Sequence, residues 1–271
     1  LPTILRRQRQ MCIRDSAHTD GKHIVFTAGG DLFKLNIATN TTSKIDVDYR
    51  SPKVQANRKF VSTSKYLHDY NLHPDGHSLA ITSRGKSYKM GNWEGAVHQV
   101  SKEEGARYRL AQWLNSGNAI AVVSDATGKE GLEIHSNDGV KRVGDFDLGR
   151  FIDMKVSPDD KYVALSNHRY ELFIIDIENE KSRRVDKSNF MRIDGFDWSP
   201  DSRWLTYSFA GTYELAALKL YSLEANESHQ ITEGDFNDSQ PSFDPNGRFI
   251  YFLSHREFNP VYDNIYFDLN F

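Results

Sequence analysis

The stretch Val156–Ser166, VSPDDKYVALS, has the pattern of a strand end, a tight turn and a new apolar strand. Proline fixes φ at the first central position of such a turn, and Asp, Asn or Gly suits the positions after it, so the chain reverses there. The same unit recurs as LHPDGHSLAITS from Leu72, WLNSGNAIAVVS from Trp113, WSPDSRWLTYS from Trp198, FDPNGRFIYFLS from Phe243 and, in a shorter form, TDGKHIVFT from Thr19. Six copies of one hairpin predict a repeat architecture.

The spacing of these turns indicates which architecture it is. The turn positions recur at intervals of 41 to 45 residues: Pro74, Asn115, Pro158, Pro200 and Pro245. Short strands fill each interval, for example Ala119–Ser124 and Gly131–Ser136, and no stretch keeps the apolar spacing of a helix. Four short strands every ~40–45 residues are typical of β-propeller blades. We therefore predict an all-β propeller of six repeats, with incomplete first and last blades, cut from a ring of seven.

The N-terminal residues are treated separately. Arg6–Ser16, RRQRQMCIRDS, resembles the translation of a transposon-end adapter used in sequencing libraries. We therefore interpret residues 1–16 as an adapter artefact and a disordered tail, to be left out of fold reasoning. Residues 17–271 form the predicted partial propeller domain. Within it, residues 48–65 interrupt the repeat and are predicted to be a long connection with one strand near Phe60-Val61.

Composition excludes several classes of protein. The net charge of −3 gives no reason to expect nucleic acid as a partner. No run approaches the 18 apolar residues of a membrane-spanning helix, so no membrane partner is predicted. Cys12 is the only cysteine, and it lies in the suspected artefact, which leaves no disulfide framework or thiol metal site. This usage fits a cytoplasmic protein.

Four stretches carry a family resemblance that covers roughly residues 20–271. They are SLAITSRGKSYKM (78–90), with its Arg84-Gly85 dipeptide, SDATGKEGLEIHS (124–136), KVSPDDKYVALSNHRYELFIIDIENEKSRRV (155–185) and FDPNGRFIYFLSHREFNPVYDNIYFDLNF (243–271). In this order they resemble the second, seven-bladed propeller of the tricorn-type serine peptidases. The resemblance implies a large, homo-oligomeric cytoplasmic peptidase that trims short peptides downstream of the proteasome.

In such a peptidase the propeller is a gate or channel that leads peptides to a distant catalytic domain. The family's catalytic, helical-bundle and PDZ-like domains have no counterpart here, so no catalytic residue is carried over. The partners implied are the peptides in transit and the remainder of the parent peptidase. No G-x-S-x-G, H-E-x-x-H or phosphate-loop motif is present either. We predict no cofactor and no metal.

One polar set recurs in register, three residues before each turn position: Asn71, Gln112, Lys155, Asp197 and Ser242. These residues are either a substrate-facing ring near the channel or a set of hydrogen bonds between neighbouring blades, and we favour the second interpretation. Trp113 and Trp198, which follow two of them, are interpreted as inter-blade core. His73 and His77 have metal-ligand spacing, but on a turn they share no helical face, so we do not favour a metal site there.

Three alternative functions remain open. A TolB-type propeller is a non-catalytic interaction scaffold whose repeats share the same turn pattern. A propeller lid on a prolyl-oligopeptidase-type hydrolase would be followed by a G-x-S-x-G elbow. An enzyme acting inside the propeller with a channel metal would need convergent acids and histidines, and the polar set supplies only Asp197 as an acid. We rank that reading last.

Overall fold

The computed structural model describes residues 17–28, 31–48, 52, 62–101, 103 and 105–256. The predicted adapter segment and the predicted strand near Phe60-Val61 lie outside these residues. The chain divides into two compact units, Leu1–Tyr66 and Leu67–Phe271. The predicted domain over 17–271 therefore includes parts of both units.

The first unit contains one antiparallel four-stranded sheet, sheet 1, whose strands pair in chain order. Its strands are β1 (His18–Thr19), β2 (His23–Ala28), β3 (Asp31–Asn36) and β4 (Thr41–Ile45). Phe26 and Phe33 stack with their ring centroids 5.7 Å apart. A one-turn helix, α1 (Thr63–Tyr66), ends the unit.

The second unit begins with three more four-stranded antiparallel sheets, each again paired in chain order. Sheet 2 comprises β5 (Leu67–Leu72), β6 (Ser78–Ser83), β7 (Lys86–Gly91) and β8 (His98–Gln99). Sheet 3 comprises β9 (Tyr108–Trp113), β10 (Ala119–Ser124), β11 (Gly131–Ser136) and β12 (Gly139–Val143). Sheet 4 comprises β13 (Phe151–Val156), β14 (Tyr162–Asn167), β15 (Glu171–Asp176) and β16 (Lys181–Lys187).

Sheet 5 joins the fifth repeat to the start of the sixth. It comprises β17 (Phe196–Trp198), β18 (Trp204–Ala210), β19 (Ala216–Ser222), β20 (Glu227–Gln230), β21 (Asn237–Phe243) and β22 (Ile250–His255). The parallel link between β19 and β21 is a single residue pair, Ala216 with Asn237. The all-β fold of four-stranded repeats predicted from the sequence is confirmed.

The repeated turn has the same backbone in all five copies of the second unit. The residue before the turn Pro, or before Asn115, accepts a hydrogen bond from the N–H three positions later, as in Gly76 N to His73 O at 2.8 Å. That later residue has a positive φ in each copy: Gly76, Gly117, Asp160, Ser202 and Gly247. This is a type I turn followed by a left-handed residue. It lies within a four-residue hairpin loop, since the N–H of His73 donates to the carbonyl of Ser78 and the other copies match. It starts the second strand of every blade.

The core lies between adjacent sheets, because a strand's alternating side chains face both neighbours of its sheet. Between sheets 3 and 4 the cluster includes Val123, Leu132, Phe151, Met154 and Leu165, all at most 1% exposed. A second cluster between sheets 4 and 5 includes Leu172, Ile174, Leu205 and Tyr207. The innermost strands β5, β9, β13, β17 and β21 thus stand side by side at one edge of the stack.

Candidate functional site

The predicted polar set lies on the five innermost strands, one residue on each. In sheet 2 the Asn71 side-chain oxygen accepts a hydrogen bond from the backbone N–H of Trp113, 2.8 Å away on β9. The Gln112 amide in turn donates to the carbonyl of Met154 on β13. It also accepts from the N–H of Val156 at 3.4 Å. Each of these side chains therefore bonds to the backbone of the next blade.

The remaining members, Lys155, Asp197 and Ser242, are connected by an ion pair and a hydrogen bond. Lys155 Nζ lies 2.7 Å from Asp197 Oδ1 on the next blade, and the Asp197 side chain is only 13% exposed. The second oxygen of Asp197 accepts from Ser242 Oγ at 3.1 Å and from Phe243 N at 2.8 Å. All five residues thus form bonds between blades. A contact of any of them with a peptide stays a prediction.

A cavity of about 470 Å³ opens beside these bonds, where four innermost strands and their preceding loops meet. Residues of the polar set and several neighbours line it, among them Gln112, Lys155, Ser242, Asp153, Asp194 and Gln240. Polar atoms dominate the wall. The cavity has the position that a channel along the inner edges of the blades requires.

The wall of this cavity is acidic. Burial raises the pKa of the Asp153 carboxyl above its usual value, and the negative charges of Asp194 and Asp69 raise it further. The Met154 N–H, which donates to Asp153 Oδ1 at 2.8 Å, and the charge of Lys155 oppose this rise without cancelling it. The Asp153 carboxyl therefore responds to the charge of Asp194, which lines the same cavity, and of Asp69 on β5.

Sequence reasoning missed a backbone feature that shapes this wall. The pairing of the innermost strand with its neighbour shifts register in β5, β9, β13 and β21. Leu110, Gly195 and Gln240 have φ values of 54°, 66° and 53°, each five residues before its turn position. A bulge of this kind re-aims the local side chain. These residues share a position relative to the turn, but no residue type recurs at that position. The sequence alone could therefore not identify them.

The two tryptophans after the polar set are buried, at 7% for Trp113 and 3% for Trp198. The indole N–H of Trp198 donates to the carbonyl of Lys155 on the preceding blade at 3.0 Å. The indole N–H of Trp113 is buried and has no acceptor among the described residues. The two positions are equivalent in sequence but differ in the structure.

His73 and His77 have separate contacts. His73 Nε2 lies 3.0 Å from the carbonyl oxygen of Gly117 on the next blade, and its Nδ1 lies 2.5 Å from Asp75. The His77 ring packs edge-on against Trp93, with centroids 5.4 Å apart. Among the described residues no group of three or more His, Cys, Asp or Glu side chains is placed to hold a metal ion. Within the same residues, no helix has the length and hydropathy that crossing a bilayer requires.

Comparisons with known families, proteins and structures agree on one family. A family profile described as the tricorn protease second beta propeller domain matches residues 67–271, and its first residue is also the first of the second compact unit. The tricorn protease homolog of Saccharolobus solfataricus is 34% identical over 256 residues, which cover 94% of this chain and 23% of that protein. A crystal structure of the tricorn protease matches with a TM-score of 0.69 and 26% identity, over 92% of this chain and 24% of that one. The chain therefore spans about a quarter of the length of these relatives.

A more distant likeness concerns the fold alone. TolB from Acinetobacter baumannii matches with a TM-score of 0.52 and 18% identity, over 84% of this chain and 57% of that one. The match shows a shared propeller architecture, and proteins with this architecture have unrelated functions.

Proposed function

The chain belongs to the tricorn protease family, and we propose on that premise that its blades form part of a channel that admits short peptides to a catalytic domain elsewhere in the parent peptidase. The observation that carries the proposal is the polar, acidic cavity at the inner edges of four consecutive blades. A channel of limited bore passes extended peptides and excludes folded protein. The chain's contribution is selection by size and charge.

The wider setting belongs to the same proposal. The parent protein would be a cytoplasmic homo-oligomer that trims short peptides downstream of the proteasome. The chain itself supplies no nucleophile to this reaction. Lys155 and Asp197 hold neighbouring innermost strands together through their 2.7 Å ion pair, so the bore keeps its shape while peptides pass. Rigid elements define a site more closely than loops do.

The test narrows the cavity in the full-length parent peptidase. Asp194 is exposed and lines the cavity, so Asp194→Trp adds bulk to the proposed channel without disturbing the core. We expect kcat/KM to fall about tenfold for peptides of eight or more residues and to change little for dipeptide substrates. Steady-state kinetics with both substrate lengths measures the ratio.

Asp145→Trp is the matched control, because Asp145 is also an exposed aspartate and does not line the cavity. It should leave both rates unchanged. Equal rates for Asp194→Trp and the parent on long peptides, or equal losses on long and short ones, would count against the gating role.

A further inference from the structure

A second cavity, of about 410 Å³, lies between sheets 2 and 3. Strands β7 and β8 line one side, and residues of all four strands of sheet 3 line the other. Strand β8 has only two residues, so the outer edge of sheet 2 is short and leaves space beside sheet 3. The volume lies in the range of small-ligand sites.

The polar groups of this cavity include one fixed positive charge and several side chains that both donate and accept, such as Gln99, Asn118 and Asn137. Lys89 belongs to the wall, and its Nζ lies 5.4 Å from the ring centroid of Trp113, a cation–π contact. His98 and His135 add two imidazole rings. No aspartate or glutamate is among the described residues that line the space. A ligand that complements this wall carries negative charge and accepts hydrogen bonds.

The Trp113 indole supports the same requirement. Its N–H is buried and has no acceptor within the described part of the chain, although Trp198 at the equivalent position donates to Lys155. Buried donors are normally paired, and each exception calls for an explanation. The Trp113 ring forms part of the cavity wall. Since the N–H itself is covered, a ligand oxygen would pair with it through a small displacement of the ring.

His135 is held in a fixed position. Its Nε2 lies 2.9 Å from Glu133 Oε2, and both side chains are 7% exposed. Arg142 Nη1 lies 3.5 Å from the other oxygen of Glu133. Because the Glu133 carboxylate only accepts, His135 donates to it from Nε2, and Nδ1 of the neutral ring is then an acceptor. The ring therefore shapes the wall, and the donors toward a carboxylate are Lys89 and the amides of Gln99, Asn118 and Asn137.

The remaining wall is apolar. Val100 and Ile120 line the cavity, and so does Val140, which is 60% exposed. From the donor wall and this apolar surface together, we infer that the cavity binds a carboxylate that bears an aliphatic or aromatic group. Such a group occurs at the C-terminus of a hydrophobic peptide and in small organic acids. The inference stands apart from the proposed channel, because no residue described as lining one cavity lines the other.

Calorimetric titration of the full chain tests the ligand chemistry. The probes are acetyl-Leu-Phe with a free carboxylate, the same dipeptide as its C-terminal amide, and 3-phenylpropionate. We expect the free acid to bind at least about tenfold more tightly than the amide, because a hydrogen bond to a charged group contributes that much. Tighter binding of the dipeptide than of 3-phenylpropionate would identify a peptide terminus as the source, and equal binding would identify any apolar acid.

Variants locate the site. Lys89→Gln should weaken binding of the acid by at least about tenfold, and Trp113→Phe by about three- to tenfold. Lys129→Gln removes the same charge from an exposed position at the other end of β11 and should leave affinity unchanged. Thermal unfolding of each variant shows that the fold is kept.

Three results would overturn the inference. They are no binding of the acid at millimolar concentration, equal affinity for acid and amide, and equal losses in Lys89→Gln and Lys129→Gln. The last result would mean that the acid responds to net charge and not to the cavity.

Discussion

The interface between sheets 3 and 4 is closely packed, whereas the interface between sheets 2 and 3 contains a cavity, although both are built from the same repeat. In the first, sheet 4 contributes large buried side chains such as Phe151, Met154 and Leu165. In the second, sheet 2 contributes only Ala80 to the buried cluster, and Val100 packs against it partly exposed. The size of the side chains on the facing sheet therefore decides whether an interface closes.

The closed interface also has a buried ion pair that contacts the first strand of sheet 4. Arg109 Nη2 lies 2.6 Å from Glu130 Oε1, with both side chains less than 15% exposed. The same guanidinium donates to the carbonyl of Phe151 at 2.8 Å, and Glu130 accepts from the Phe151 N–H at 2.7 Å. These contacts hold the start of β13 against sheet 3. Packing and polar contacts thus reinforce each other at the closed interface.

The largest effect is expected from truncating the closed interface. Phe151→Ala should lower the free energy of unfolding by about 3–5 kcal/mol, because it removes a fully buried ring and leaves a cavity. At the open interface, Val100→Ala should cost about 1 kcal/mol or less, since the side chain is only partly buried. Urea unfolding followed by tryptophan fluorescence measures both. Similar losses for the two variants would remove the distinction between the interfaces.

A smaller effect, which depends on pH, is expected at the polar wall of the open interface. Burial raises the pKa of Glu133, but hydrogen bonds from His135 and Ser124 and the charges of His135 and Arg142 outweigh it and hold the pKa below its usual value. A carboxyl whose pKa is depressed by folding stabilises the protein above the unfolded-state pKa, about 4.3, and loses that contribution as pH falls through the folded value.

Glu133→Gln should therefore destabilise the chain by about 1–3 kcal/mol at pH 7, and the difference should shrink as the pH falls below about 4. Glu227→Gln is the control, because Glu227 and His229 have the same spacing but are 69% and 61% exposed. Its effect should be near zero at every pH. A constant difference for Glu133→Gln across this range would show that the carboxylate contributes by shape and not by charge.

The sequence was sufficient for features that depend on local chemistry. The turn after each innermost strand follows from Pro, Asp and Gly, and the strands Ala119–Ser124 and Gly131–Ser136 have the predicted bounds. The polar set could be found because its register is constant. The bonds its members form could not be assigned to atoms, since each partner lies about 42 residues away on another blade.

The remaining features depend on contacts that have no local signal. The last strand of sheet 2, β8, comprises only His98–Gln99. An outermost strand buries few side chains, so its length depends on its contacts with the neighbouring strand and not on its own apolar residues. The bulges and the cavity follow from the fit of whole sheets, and a pattern within one repeat does not determine that fit.

The smallest effect concerns the two equivalent tryptophans, and it is the finest probe of the difference between the interfaces. Trp198→Phe should cost about 1–2 kcal/mol, because it removes the hydrogen bond to the Lys155 carbonyl and leaves that acceptor unpaired. Trp113→Phe removes an N–H that has no acceptor among the described residues, so the loss of stability should be close to zero. Both substitutions keep an aromatic ring, so packing changes little and largely cancels in the comparison. Trp198 belongs to the interface between sheets 4 and 5, and Trp113 to the open interface between sheets 2 and 3. Equal losses in urea unfolding without added ligand would mean that the Trp113 N–H is already paired, and that these two interfaces do not differ at the tryptophan position.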